Sequence, residues 1–275
     1  MATVRLPDGT EVPALGQGTW HMGERAARRA EELAALRLGL DLGLTLIDTA
    51  EMYGEGRAEE LVGEAIAGRR DEVFLVSKVY PHNAGGARLR AACEGSLRRL
   101  RVETLDLCLL HWRGSIPLAD TVEGFERLRS AGLIRRWGVS NLDVDDLEEL
   151  GPALQECMTD QVLYNLEARG IEFDLLPFCR RRGMPIMAYS PIGQGGLLRH
   201  RAVLEVAARH DATPAQVAIA WTLRAPGVIS IPKAGTPAHV QENAEARRLR
   251  LMEQDLETLD AAFPPPRRKR PLQML

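Results

Sequence analysis

Lysine is nearly missing from this sequence. Of its 35 basic residues 32 are arginine, and the three lysines are Lys78, Lys233 and Lys269. A chain that uses arginine almost everywhere keeps lysine where a compact ammonium with a tunable pKa is wanted. Lys269 lies in a basic tail and needs no such reason, whereas Lys78 and Lys233 both follow apolar, strand-like runs. Paired cysteines are missing too. Cys93, Cys108, Cys157 and Cys179 are widely spaced without a CxxC, and Cys108 sits inside an apolar run, so they read as reduced, structural residues of a cytoplasmic protein. No run of apolar residues is long enough to span a bilayer, and residues Met1 to Gly9 hold no apolar core of signal-peptide length. That predicts a soluble chain with no membrane partner. Neither sign of charge dominates: 27 % of residues are charged and the net charge is −3, which argues against nucleic acid as a partner.

What is present is a repeated alternation. The length of 275 residues suits two small domains or one α/β barrel. Thr3 to Pro13, around Pro7-Asp8-Gly9-Thr10, reads as a β-hairpin. Strands then follow at residues 14–18, 44–48, 73–77, 105–110, 134–139, 160–163, 184–188 and 228–231. Helical spacing marks 24–42, 57–67, 87–100, 119–130, 143–154, 174–182, 203–209, 214–223, 239–246 and 253–262. Eight strands each followed by helix, with no linker between them, predict an α/β fold: one (β/α)8 TIM barrel over residues 1–275 with an N-terminal β-hairpin and extra C-terminal helices. An open doubly wound sheet is the alternative. Gly16-x-Gly18 hints at its dinucleotide fingerprint, but the third glycine position holds His21 and the fingerprint fails.

The chain is organised around residues Leu44 to Gly56. An apolar run ends at Asp48, and a polar loop carrying Tyr53 closes with Gly54 and Gly56. A carboxylate at the end of a buried strand is costly unless a cation or donors meet it, so a partner is needed elsewhere. In parallel barrels function sits at the C-terminal ends of the strands. Polar or special residues stand there in every unit: Gly18-Thr19-Trp20, Asp48 with Tyr53, Lys78, His111, Ser140-Asn141, Gln161, Tyr189-Ser190 and Lys233. Each has a structural account of its own, as a helix cap, a snorkelling cation or a satisfied core histidine. Their recurrence at one end of successive strands moves the weight to an active site.

Asp48, Tyr53, Lys78 and His111 include no Ser or Cys nucleophile with a base and no metal-ligand spacing, so no metal is expected. A phenol beside an ammonium is a proton donor for a developing alkoxide, because the positive charge favours phenolate. Asp48 would hold Lys78, and His111 would orient a carbonyl oxygen beside Tyr53. Protonating an alkoxide implies a hydride arriving at carbon, which only a nicotinamide or flavin can bring.

Nearly the whole chain resembles the aldo-keto reductases. The matching segments are residues 18–20, Ile47-Asp48-Thr49-Ala50-Glu51-Met52-Tyr53-Gly54, 76–78, Leu109-Leu110-His111-Trp112, 138–141, Gln161-Val162-Leu163-Tyr164-Asn165, 188–191 and Ile231-Pro232-Lys233. The resemblance implies a barrel that binds NADPH, with NADH possible, and a tetrad of Asp48, Tyr53, Lys78 and His111. It places Ser140, Asn141 and Gln161 on the carboxamide, Tyr189 on the nicotinamide, and Gly18, Thr19, Trp20 and Ser190 along the cofactor. Lys233, His239, Glu242 and Asn243 fall at the adenosine-phosphate end. Residues 16–24 and 79–86 are most similar to bacterial members that reduce methylglyoxal and related 2-oxoaldehydes. Trp20, Tyr80 and Trp112 would wall a small carbonyl substrate, with His111 at its oxygen.

Two departures stand out. Lys233 is followed by Ala234, and His239 replaces an arginine common in the family, which weakens the grip on a 2′-phosphate. The C-terminal segment is short, which predicts broad selectivity. A monomer is the default expectation. Because the family includes potassium-channel β-subunits that bind NADP(H) with little turnover, a redox-sensing regulatory subunit is the second reading.

Overall fold

The computed structural model describes residues 2–275. A two-stranded antiparallel hairpin, β1 (Thr3–Arg5) and β2 (Glu11–Pro13), pairs Val4 with Val12. Eight further strands form one parallel sheet in chain order: β3 (Gln17–Gly18), β4 (Leu46–Asp48), β5 (Phe74–Val79), β6 (Leu107–Leu110), β7 (Trp137–Ser140), β8 (Cys157–Leu163), β9 (Ile186–Tyr189) and β10 (Val228–Ser230). The helices are α1 (Arg29–Asp41), α2 (Arg57–Ala65), α3 (Gly86–Leu100), α4 (Leu118–Ser130), α5 (Val144–Glu149), α6 (Leu175–Arg181), α7 (Arg201–Arg209), α8 (Pro214–Leu223), α9 (Pro237–Glu245) and α10 (Glu253–Ala262).

The first and last strand segments are also joined. The Gly16 N–H donates to Ser230 O, the Ser230 N–H to Ala14 O and the Gly18 N–H to Pro232 O, at 2.8–3.1 Å. This seam explains Gly18: a Cβ there would lie 2.7 Å from the Ile231 carbonyl oxygen, so only glycine allows the approach. Buried on both faces, the strands are near-continuous apolar runs. Their inward side chains Leu46, Val76, Leu107, Leu109, Met158, Met187 and Ile229 pack inside the sheet above the hairpin's Val4, Leu6 and Val12.

Every expected strand is found, and two helices differ. The segment expected as a helix from Glu24 begins its α-helix at Arg29, after a 3-10 turn at Ala26–Arg28, because Arg25 is extended and Gly23 adopts φ +76°. The helix expected over 143–154 starts well, with an Asp143–Asp146 capping box, but breaks after Glu149, since Gly151 takes φ +54° and Pro152 has no N–H to continue the ladder. Lys269, read as a tail residue of no special placement, ties the C-terminal segment down: its ammonium lies 3.3 Å from both Asp143 and Asp174. Among the described residues no helix is long and apolar enough to cross a membrane, and no group of three or more side chains could hold a metal.

Candidate active site

Asp48 ends β4 because the strand's apolar run stops there. The chain then turns through Tyr53–Gly56, where Gly54 and Gly56 take the positive φ values of 56° and 88° that the tight turn demands. Tyr53 is thereby brought back over the strand end. Lys78, near the end of β5, is fully buried, and β4–β5 pairing sets it beside Asp48. Its Nζ donates to an Asp48 carboxylate oxygen at 2.8 Å, to Thr49 O at 2.9 Å and to the Tyr53 hydroxyl at 3.1 Å. The partner that Asp48 required is thus Lys78, thirty residues on.

Buried charges persist only when compensated, and each member of this pair leaves the other uncompensated if removed. Burial pushes the Lys78 ammonium toward deprotonation, but the Asp48 charge, that of Tyr53 when ionised, and the hydrogen bonds to those two side chains outweigh it, and its pKa stands above the ordinary lysine value. The phenol departs from the sequence expectation. Burial raises the Tyr53 pKa and outweighs the opposing pull of Lys78, so the hydroxyl keeps its proton. His111 follows β6, packs edge-on to the Tyr53 ring at 5.8 Å, and is pushed down to about 2 by burial and then by the Lys78 charge. It is a neutral imidazole. Its Nδ1 is buried without a hydrogen-bond partner among the described residues.

A second layer orients the first. Gln161 of β8 donates 2.8 Å to Asp48 and 2.9 Å to the Met187 sulfur. Thr19 Oγ1 donates to Asp48 O at 2.9 Å. Ser140 Oγ donates to Gln161 O at 2.8 Å. Asn141, at φ +59°, donates to His111 O and Ser140 Oγ, both at 3.1 Å, and accepts from the Tyr189 hydroxyl at 3.0 Å.

These residues open into one cavity of about 480 Å³. It is lined by Gly18, Thr19, Trp20, Asp48, Tyr53, His111, Trp112, Ser140, Asn141, Gln161, Tyr189, Ser190 and Lys233. Lys78 lies beneath this lining. Four residues expected at the site lie elsewhere. Tyr80 stands behind Trp112, edge-on at 5.9 Å, and stacks on His82. His239, Glu242 and Asn243 are on α9; His239 is exposed and Asn243 buried. The cavity also takes in residues not singled out from the sequence: Met52, the 191–195 loop, Met274 and Leu275. Met52 could have been found from its place beside Tyr53; the last two carry no local signal. Glu51 holds the loop carrying Tyr80, accepting from the Tyr80 N–H at 2.7 Å and from Asn83 Nδ2 at 3.1 Å.

Known proteins resemble this chain over almost its whole length. The sequence pattern of the Aldo/keto reductase family matches residues 14–263. The chain is 53 % identical to methylglyoxal reductase YeaE of Escherichia coli, covering 99 % of this chain and 98 % of that protein. It is 35 % identical to glyoxal reductase of Bacillus subtilis, covering 94 % and 92 %. Among solved structures, an aldo/keto reductase from Klebsiella pneumoniae in complex with NADP and acetate superposes with a TM-score of 0.97 at 52 % identity, covering 99 % of each chain. The thermostable aldo-keto reductase Tm1743 gives 0.89 at 41 % identity, covering 95 % of this chain and 99 % of its own. With sequence and fold matched over almost its full length, the chain belongs to the aldo/keto reductase family.

Proposed function

We propose that this protein is an NADPH-dependent reductase of small activated aldehydes, methylglyoxal and other 2-oxoaldehydes foremost, acting in the cytoplasm as one closed (β/α)8 barrel over residues 1–275. The carrying observation is the Lys78 ammonium, which bridges Asp48 and a Tyr53 hydroxyl at the cavity wall. The eight strands in chain order with their first and last segments hydrogen-bonded support the closed barrel. The four cysteines are all free and buried, which suits a reducing compartment.

The cavity suits a nicotinamide dinucleotide, because its lining includes Tyr53 and His111 together with a half-buried lysine, Lys233. Ser140, Asn141 and Gln161 would hold the carboxamide, Tyr189 the nicotinamide face, and Lys233 the far phosphate. The chemistry that the dinucleotide supplies when bound is hydride donation to the carbonyl carbon. Tyr53 gives its proton to the carbonyl oxygen as that oxygen gains charge, and takes one back from solvent afterwards. Lys78 stabilises the phenolate left behind, so its charge is worth more as the transfer proceeds than before it. Asp48 keeps Lys78 charged and aimed. His111, neutral, hydrogen-bonds the carbonyl oxygen and fixes it beside Tyr53. Trp20, Met52 and Trp112 supply an apolar wall for a small substrate.

Steady-state oxidation of NADPH by the purified protein, with methylglyoxal, a nitrobenzaldehyde and glucose as alternative substrates, tests the reading. Rapid turnover of the first two is expected. Tight NADPH binding without turnover of any aldehyde would instead point to the redox-sensing role.

A further inference from the structure

Lys233 is the one lysine or arginine lining the cavity, and among the described residues no carboxylate or other acceptor bonds its ammonium, although Glu32 and Glu24 lie near enough to act on its charge. Gly235 is buried, and a Cβ built on it would lie 3.4 Å from Arg28 Nη2 and 3.5 Å from Lys233 Nζ. Measured from one point, the two cationic heads are within about 7 Å of each other. Burial and then the Arg28 charge push the Lys233 pKa below the ordinary lysine value, with Glu32 and Glu24 opposing and Arg25 reinforcing.

Two cations held this close repel unless an anion stands between them. The Arg28 side chain is committed to little else: its ion pair with Glu31 is 3.5 Å long, exposed on both sides, and of the kind worth a fraction of a kcal/mol. Glu32, whose Cγ would be 3.7 Å from the same point, is turned to the Gly23 N–H at 2.9 Å and anchors the loop that carries Arg28. A phosphate accepting charge-assisted bonds of about 2.8 Å on each side spans a gap of this width, and a guanidinium fork suits two of its oxygens. Neither Arg28 nor His239 is in the cavity lining, and the Arg28 side chain is itself partly exposed, but Arg28 is the one whose guanidinium lies near the Lys233 ammonium, whereas His239 is exposed on α9.

We propose that Arg28, from the turn that precedes α1, is the second cation for the 2′-phosphate of NADPH, sharing it with Lys233 beside Gly235 and setting the preference for NADPH over NADH. The assignment rests on the reading of the cavity as a dinucleotide site. It moves the specificity role from the helix after β10 to the opposite side of the strand seam, on the segment after β3.

The test is binding to the cofactor-free protein. Dissociation constants for NADPH and NADH are measured by fluorescence, and for adenosine 2′,5′-bisphosphate and AMP by calorimetry, in wild type, Arg28→Ala, Arg28→Lys and His239→Ala. Arg28→Ala should weaken NADPH and the bisphosphate tenfold or more while NADH and AMP change by less than twofold. Arg28→Lys should recover part of the loss, and His239→Ala should leave all four near wild type. Unchanged NADPH affinity in Arg28→Ala, or an equal loss for NADPH and NADH, overturns the role of Arg28 while leaving the dinucleotide site standing. A wild type that binds none of the four ligands overturns that site as well.

Discussion

Lys78 and Tyr53 are joined by a 3.1 Å hydrogen bond, and this contact uses the last of three ammonium donors, the other two being taken by Asp48 and Thr49. The phenol therefore meets a cation that has no freedom to turn away. Burial keeps the phenol protonated, and the ammonium waits for the charge that appears when the proton leaves.

Tyr53→Phe retains the ring and removes only the proton. Turnover should fall by roughly a hundredfold to ten-thousandfold, the range of a general acid, while the dissociation constant for NADPH stays close to wild type. Parallel kcat and binding measurements check this, and a variant keeping most of its kcat would remove Tyr53 from the reaction.

At Lys78 a positive charge alone is predicted to be insufficient. The slot is fully buried, and its three acceptors match a compact ammonium rather than a planar fork, so Lys78→Arg must overpack or break the set. Activity should drop by at least about a hundredfold, with a stability loss of about 1–3 kcal/mol seen in denaturant titration. Kinetics near normal would contradict the geometry.

His111 should not titrate in the working range. With its pKa pushed down to about 2, the ring is neutral from pH 5 to 8 and contributes no step to the pH profile of kcat/KM. A break near pH ~6.5 that disappears in His111→Gln would show a protonated imidazole instead.

Substrate size and polarity follow from the wall. Trp20, Met52 and Trp112 offer few partners for sugar hydroxyls, each of which costs roughly 1–3 kcal/mol if buried unpaired. The kcat/KM for methylglyoxal or a nitrobenzaldehyde should exceed that for glucose by orders of magnitude. Trp112→Ala should raise KM more than it lowers kcat, and comparable values for glucose in the wild type would refute the apolar wall.

Asp160 of β8 makes a stability prediction. It is fully buried, neither carboxyl oxygen has a well-formed hydrogen bond, although the Leu142 N–H is near, and burial raises its pKa well above the ordinary value. The folded chain thus holds a proton that the unfolded chain releases once pH passes about 4, so stability falls as pH rises from there toward the folded-state pKa, at a limiting slope of about 1.4 kcal/mol per pH. Asp160→Asn cannot ionise. Its melting temperature should exceed that of wild type at pH 8 by more than at pH 4.5, and an equal difference at both would show that Asp160 is ionised in the fold.

Strand order, the hairpin and the polar residues closing each strand were all legible in the sequence, because apolar period, turn residues and caps act over a few neighbours. The lysine scarcity pointed to Lys78 and Lys233 for the same kind of reason, the chemistry of one side chain. What only the tertiary structure decided are the pairings across large separations. Gln161 donates to Asp48 from 113 residues away. Tyr80 stands behind Trp112 rather than in the cavity, Met274 and Leu275 reach the mouth, and Arg28 faces Lys233 across a glycine. Such contacts depend on how the sheet curls and which rotamer each side chain takes, and no local pattern encodes either. The Tyr53 pKa belongs to the same class: a neighbouring cation can be inferred from spacing, but the depth of burial that outweighs it exists only once the chain has closed around the site.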